Sequence, residues 1–194
     1  MHRLKHNGDH AGSVLKGMAA GAVGGLAAAW VMNQFQSAWS RMTAGIERPH
    51  GAQSMQQGQP QHGVGRELQK SGSDEASDNA AVRTASAISE TAFDHKLTRS
   101  EKETGGAVMH YAMGATSGVI YGAAAEMAPV VTMGAGLPFG AAVWLVADEG
   151  IVPALGLSKT PDEYSLSMHA YSIASHLVYG VTTEVVRNVV RRAL

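Results

Sequence analysis

Four stretches of this chain contain no Asp, Glu, Lys or Arg: Gly17–Ser40, Gly105–Ala125, Met127–Ala147 and Tyr164–Thr183. They are 24, 21, 21 and 20 residues long, so all 31 charged side chains fall in the other 108 of the 194 residues. A helix rises about 1.5 Å per residue, and roughly 20 residues cross a hydrocarbon core about 30 Å thick. All four stretches reach that length. A helix on the surface of a soluble bundle needs a charged face, and none of the four has one. Glycine, with 23 residues, costs about 1 kcal/mol relative to alanine in a helix in water, yet is frequent in membrane helices. The pattern predicts an all-α protein, a four-helix transmembrane bundle.

The same pattern divides the chain. Residues 1–40 form an N-terminal tail and the first span. The first span also has features of a signal peptide, with a basic start and Ala27-Ala28-Ala29 as a cleavage sequence. The uncharged run continues to Ser40, too long for a signal core, so the span is read as retained. Residues 41–104 form an extramembrane segment. Its part His50–Ser77 is rich in Gln, Gly and Ser and is expected to be disordered. A short amphipathic helix is expected over Asn79–Asp94, with Val82, Ala85, Ile88, Ala92 and Phe93 on one face. Residues 105–194 form a three-helix core with a basic end. Thr98-Arg99-Ser100-Glu101 is a capping box that starts the second long helix. Thr160-Pro161-Asp162-Glu163 predicts that the fourth helix begins there and runs to about Arg192.

Basic residues set the orientation. Arg3, Lys5 and Lys16 precede the first span, and Arg187, Arg191 and Arg192 follow the fourth. The connection Asp148–Glu163 carries Asp148, Glu149, Asp162 and Glu163 against Lys159. The positive-inside rule places both termini in the cytoplasm, with Trp39, Tyr111, Trp144 and Tyr164 at the outer interface. The segment 41–104 is then periplasmic. Asp148-Glu149 reads as an exposed loop pair.

Small residues recur at intervals of four: Gly17, Gly21, Gly25 and Ala29 in the first span, Gly106, Gly114, Gly118 and Gly122 in the second, Gly136 and Gly140 in the third. Such spacing lets helices pack closely in lipid. It serves packing within one bundle in preference to a surface for a second copy, and a homo-oligomer is the alternative. Polar residues share these faces. His110 and Glu126 lie on the stripe of the second span. In the fourth, His169 and His176 are seven residues apart, with Gly180 and Glu184 continuing the stripe. Imidazole and carboxylate in a bilayer are costly and face the protein interior or water. His110, Glu126, His169, His176 and Glu184 are therefore the candidate functional residues.

Three readings of these residues compete. They hold the bundle together by hydrogen bonds across helices. They line a proton or solute path, which four helices would form as an oligomer. Or His110 and His169 bind haem in a redox subunit. The first is preferred, so no cofactor is expected. The absence of cysteine excludes disulfides and thiol chemistry. The remaining histidines lack metal-ligand spacing. A net charge of −1 argues against a nucleic-acid partner. No Walker loop, Gly-x-Ser-x-Gly elbow or His-Glu-x-x-His sequence is present, so no catalytic residue is assigned and a non-enzymatic protein is expected.

The segment Leu97–Arg192 resembles the YagU-like bacterial inner-membrane proteins. The resemblance rests on His110-Tyr111-Ala112-Met113-Gly114, Tyr121-Gly122 leading to Glu126 and Pro129, then Gly136 and Gly140. Pro153 with Gly156-Leu157 follows, and Ser175-His176-Leu177-Val178-Tyr179 with Glu184 completes it. The first span is similar in Gly/Ala character alone, Arg41–His95 is not covered, and Asp148 is a departure from the pattern. The resemblance implies a multi-pass inner-membrane protein of unknown molecular activity, associated with acid resistance.

Overall fold

The structure, a computed structural model, describes residues 2–42, 80–158 and 160–194, and within the first of these the side chains from residue 11 on. The disorder expected over His50–Ser77 lies outside the described residues. Among the described residues the regular elements are all helical. Helix α1 is His2–Met42, α2 is Ala80–Phe93 and α3 is Arg99–Met127. Helix α4 begins at Leu137–Val143, continues as a π-helix over Trp144–Ile151 and closes over Val152–Ala154. Helix α5 is Leu166–Ala193.

The start of α3 follows its sequence signal. The Glu101 carboxylate accepts from the Thr98 N–H at 2.7 Å and from its hydroxyl at 2.8 Å. Two other expectations are corrected. The uncharged stretch Met127–Ala147 is not one helix. It holds a 3₁₀ turn at Pro129–Thr132, and then Gly134, Ala135 and Gly136 all adopt positive φ. Three consecutive left-handed residues cannot continue a right-handed helix, so the third long helix starts ten residues later, at Leu137. It then runs past the uncharged stretch and takes Asp148 and Glu149 into its π segment.

That segment has a covalent cause. Pro153 has no N–H, and its ring clashes with the carbonyl four residues back. The backbone shifts to the wider register, with the Val152 N–H donating to the Ala147 carbonyl. The helix ends in a Schellman motif. Gly156, at φ +70°, donates to Pro153, and Leu157 donates to Val152.

The second correction concerns the fourth long helix. Thr160 and Glu163 do form a capping box, with the carboxylate accepting from the Thr160 N–H and hydroxyl at 3.0 Å each. It caps one 3₁₀ turn, Pro161–Glu163, after which Tyr164 is extended. The helix restarts at Leu166, with the Ser165 carbonyl accepting from Met168 and His169.

The described residues form two compact units. The first combines α1 up to Phe35 with Tyr111–Ala142 and Ser175–Leu194. Here α1 and α3 run antiparallel in backbone contact. A Cβ built at Gly17 would meet the Gly122 carbonyl oxygen at 2.6 Å. One at Gly21 would overlap the Gly118 carbonyl, and one at Gly25 the Gly114 carbonyl. On the other side of α1, a Cβ built at Gly24 would meet the Thr183 carbonyl oxygen of α5 at 2.7 Å. Gly136 and Gly140 press on the α5 backbone at Gly180 and His176.

The second unit combines Gln36–His110 with Val143–Ala174. Helix α2 seats Val82 and Ala85 against Gly106 and Gly105 of α3. The expected apolar face is split, because Ile88 and Phe93 are exposed while Arg83 and Ser86 are buried. Arg83 is held inward by its bond to the Leu157 carbonyl, 3.1 Å away beyond the end of α4. This capping interaction sets the rotation of α2, overriding its apolar period.

Replacing Gly118 with alanine is expected to destabilise the full chain in detergent by about 1–3 kcal/mol, the usual cost of overpacking a tight contact. At Gly12, where an added Cβ meets nothing within 4 Å, the same change should be neutral or gain up to about 1 kcal/mol from helix propensity. Thermal unfolding of the two variants, with equal effects, would contradict the contact geometry.

Candidate functional site

The polar side chains collect in two clusters, one in each unit. In the first unit α5 supplies Glu184 and Arg187 one turn apart, with side chains 6% and 7% exposed. Arg187 donates from Nε at 2.8 Å and from Nη2 at 2.9 Å to the two carboxylate oxygens of Glu184. Asn188 adds a third donor at 2.7 Å. The Arg187 guanidinium also lies 5.9 Å from the centre of the Tyr121 ring, within cation–π range. Tyr121 stacks on Phe139 at 4.2 Å.

A second ion pair joins three helices. Arg191 of α5 donates to both oxygens of Glu126 on α3, at 2.7 and 3.0 Å. Ser13 of α1 donates its hydroxyl to the same carboxylate and accepts from Arg191. Glu126 lies one residue beyond the second uncharged stretch. The Arg191 guanidinium holds its carboxyl below the usual carboxylate range, helped by Ser13 and opposed by partial burial. A third tie is neutral. The Tyr179 hydroxyl of α5 donates to the Gly114 carbonyl and pairs with Ser117, each at 2.7 Å.

These helices repeat one sequence. Ser117-Gly118-Val119-Ile120-Tyr121-Gly122 reaches Glu126 in α3, and Ser175-His176-Leu177-Val178-Tyr179-Gly180 reaches Glu184 in α5. The contacts repeat as well. Gly17 meets Gly122 and Glu126, as Gly136 meets Gly180 and Glu184; Gly21 meets Gly118 and Gly122, as Gly140 meets His176 and Gly180. The first unit therefore contains two copies of one glycine-lined helix pair. Matching Ser-x-x-x-Tyr-Gly-x-x-x-Glu 58 residues apart is the signal that would have found it.

The second unit holds the other cluster. Glu149, on the π segment of α4, lies 2.8 Å from Nδ1 of His169 on α5. The Glu149 side chain is 11% exposed, which corrects the expectation of an exposed loop pair. The other ring nitrogen, Nε2, faces the Pro161 carbonyl at 3.0 Å. Asp148 accepts from Ser172 at 2.8 Å. Trp144 and Tyr164 present edge-on rings to His169 at 6.4 and 6.3 Å. The extra residue of the π-turn aims both acids at α5, and the exposed-pair reading placed them beyond the helix.

Of the expected residues, Glu126, His176 and Glu184 fall in the first unit, and His110 and His169 in the second. His176 is 7% exposed, and its carbonyl oxygen packs on Gly140. Among the described residues no three His, Asp or Glu side chains are grouped to hold a metal ion. Both nitrogens of His169 are engaged, so a haem iron there would have to displace Glu149 or Pro161.

Among the described residues the architecture is all-helical, and two helices, Ala11–Met42 and Leu137–Ala154, are long and apolar enough to cross a membrane. The chain belongs to the DUF1440 family, proteins of unknown function, whose pattern it matches over residues 79–185. That match covers α2 to α4 and most of α5. No curated protein and no solved structure matches the chain.

Because the Glu126 carboxyl is held low, its pair with Arg191 contributes stability above the ordinary carboxylate range. That contribution is lost only as pH falls through the lowered value. Acid unfolding of the full chain in detergent is expected to show this loss, and Glu126→Gln should remove it while lowering stability at neutral pH. Coincident pH profiles for the two proteins would contradict the assignment.

Proposed function

We propose that this protein is a non-enzymatic, multi-pass component of the bacterial inner membrane. It is a four-helix transmembrane bundle with both termini in the cytoplasm, and its buried polar residues hold the helices together. One observation carries the reading: the polarity of the helices is inverted. Ser172, Ser175, His176, Thr183, Glu184 and Arg187 of α5 are buried. Val108 and Ile120 of α3, and Leu145, Val146 and Ile151 of α4, are more than half exposed. Water penalises that arrangement, whereas hydrocarbon favours it. It also accounts for the hydropathy of α5, which spends these polar residues inward.

By resemblance to the YagU-like proteins, the physiological role is a contribution to acid tolerance. An ion pair at Glu126 that resists protonation suits such a role. Native membranes washed with alkaline carbonate should retain the full-length chain in the pellet. Its recovery, detergent-free and monodisperse, from the soluble fraction would overturn the membrane reading. Changing His110, His169 and His176 together to Gln should lower acid survival at unchanged protein level. Unchanged survival removes the histidines from that role.

A second reading has an observation of its own. In the first unit His176, Thr183 and Arg187 recur along α5 at intervals of seven and four, all buried, as the lining of a proton or small-solute path would. An oligomer would form that path. Reconstituted vesicles showing pH-dependent flux support this reading, and vesicles showing none remove it.

A further inference from the structure

The contacts of His169 require more protons than a neutral ring supplies. A carbonyl oxygen accepts and never donates, so the 3.0 Å contact with Pro161 needs a hydrogen on Nε2. A neutral imidazole has one N–H, which leaves a lone pair on Nδ1 facing the Glu149 carboxylate at 2.8 Å. Two acceptors at that distance repel. Both contacts are satisfied when one further proton lies between Nδ1 and Oε1, carried by the ring or by the carboxyl. We propose that His169 and Glu149 form a proton-binding clasp, and that loss of the shared proton frees the Thr160–Tyr164 turn from α5.

The pair is placed for this. The two side chains are 24% and 11% exposed, so water replaces the missing contacts poorly. Glu149 is fixed by the π segment and His169 by the first turns of α5. The turn between them is held by its capping box and by the Pro161 carbonyl. Each neighbouring element carries further charged or titratable groups. From α4, Asp148 is held by Ser172. From the turn, Glu163 is held by Thr160, and Tyr164 turns its ring edge to His169. From α2, Arg83 caps the Leu157 carbonyl. When the proton leaves, the neutral ring gives its one N–H to the stronger acceptor, the Glu149 carboxylate, and turns a lone pair on Nε2 toward the Pro161 carbonyl, so α4 stays tied to α5 and the turn is the part that moves.

Hydrogen exchange on the full chain in lipid nanodiscs tests this, with protection expressed against an unstructured peptide at the same pH. The reporters are the amides of Glu163 and Tyr164, which donate to Thr160 and Pro161. Their protection should fall about tenfold in a single step as pH is raised from about 5 to about 8, the range over which imidazole chemistry is followed. Glu149→Gln should abolish the step, because a neutral amide can donate to Nδ1 while Nε2–H serves Pro161. Asp148→Asn should keep it. His169→Gln, which removes the ring, should give low protection throughout and decides the matter if the Glu149 variant fails to fold. Constant protection in the unaltered chain overturns the proposal, as does an unchanged step in Glu149→Gln or His169→Gln. None of these outcomes depends on whether the helices cross a membrane.

Discussion

Backbone-to-backbone contact at glycine is the constraint from which the first unit is built. Where Gly21 meets Gly118 and Gly140 meets His176, no side chain separates the helices. Dispersion and weak Cα–H···O contacts replace the layer of leucines that a soluble bundle would use. The approach is possible along three or four turns because the glycines recur every four residues on both partners. It also fixes rotation, since turning either helix by one residue drives a Cβ into a carbonyl. The polar ties between these helices depend on that fixed rotation. Glu126 reaches Arg191 and Ser13 because Gly17 lets α1 and α3 close beneath it.

The two copies of the Tyr-Gly-x-x-x-Glu sequence sort residues by what they do. Gly122 and Gly180 occupy matching contacts, so they belong to the shared scaffold. The carboxylates that follow have diverged. Glu126 bonds an arginine on another helix, and Glu184 bonds one on its own. His176 occupies the place that Gly118 holds in the other copy. The second copy thus carries polar groups that close packing alone does not call for, and most of the buried polar side chains among the described residues lie on α5. The Glu149–His169 clasp lies on that helix as well, although its partners come from the π segment.

Much of the fold was legible because charge and capping act locally. The absence of charge located the cores of α1, α3 and α5, and Thr98 with Glu101 located the start of α3 to the residue. Counting charges failed for α4, because Gly134, Ala135 and Gly136 are as uncharged as the helix they precede; turn chemistry carried that boundary. Thr160 and Glu163 cap a helix in sequence and one turn in the structure, because the Pro161 carbonyl is claimed by a histidine eight residues later. Long-range claims of that kind leave no local trace. The Asp148 and Glu149 side chains were misplaced for a related reason, since a proline four residues on widened the helix. The candidate residues Glu126, His169 and Glu184 were visible as ionisable groups on small-residue faces, whereas their partners Arg191, Glu149 and Arg187 were read as charges beyond the spans.

The inverted polarity is the claim with the widest consequences, and the cysteine-free chain makes it directly measurable. Nitroxide labels placed singly at Val108, Ile120, Tyr121 and Ala125 of α3 would report collision with oxygen, which concentrates in hydrocarbon, and with a water-soluble nickel complex. The account predicts high oxygen and low nickel accessibility at Val108 and Ile120, and low accessibility to both at Tyr121 and Ala125. High nickel accessibility at Val108 and Ile120 would mean that water covers those faces, and would contradict it.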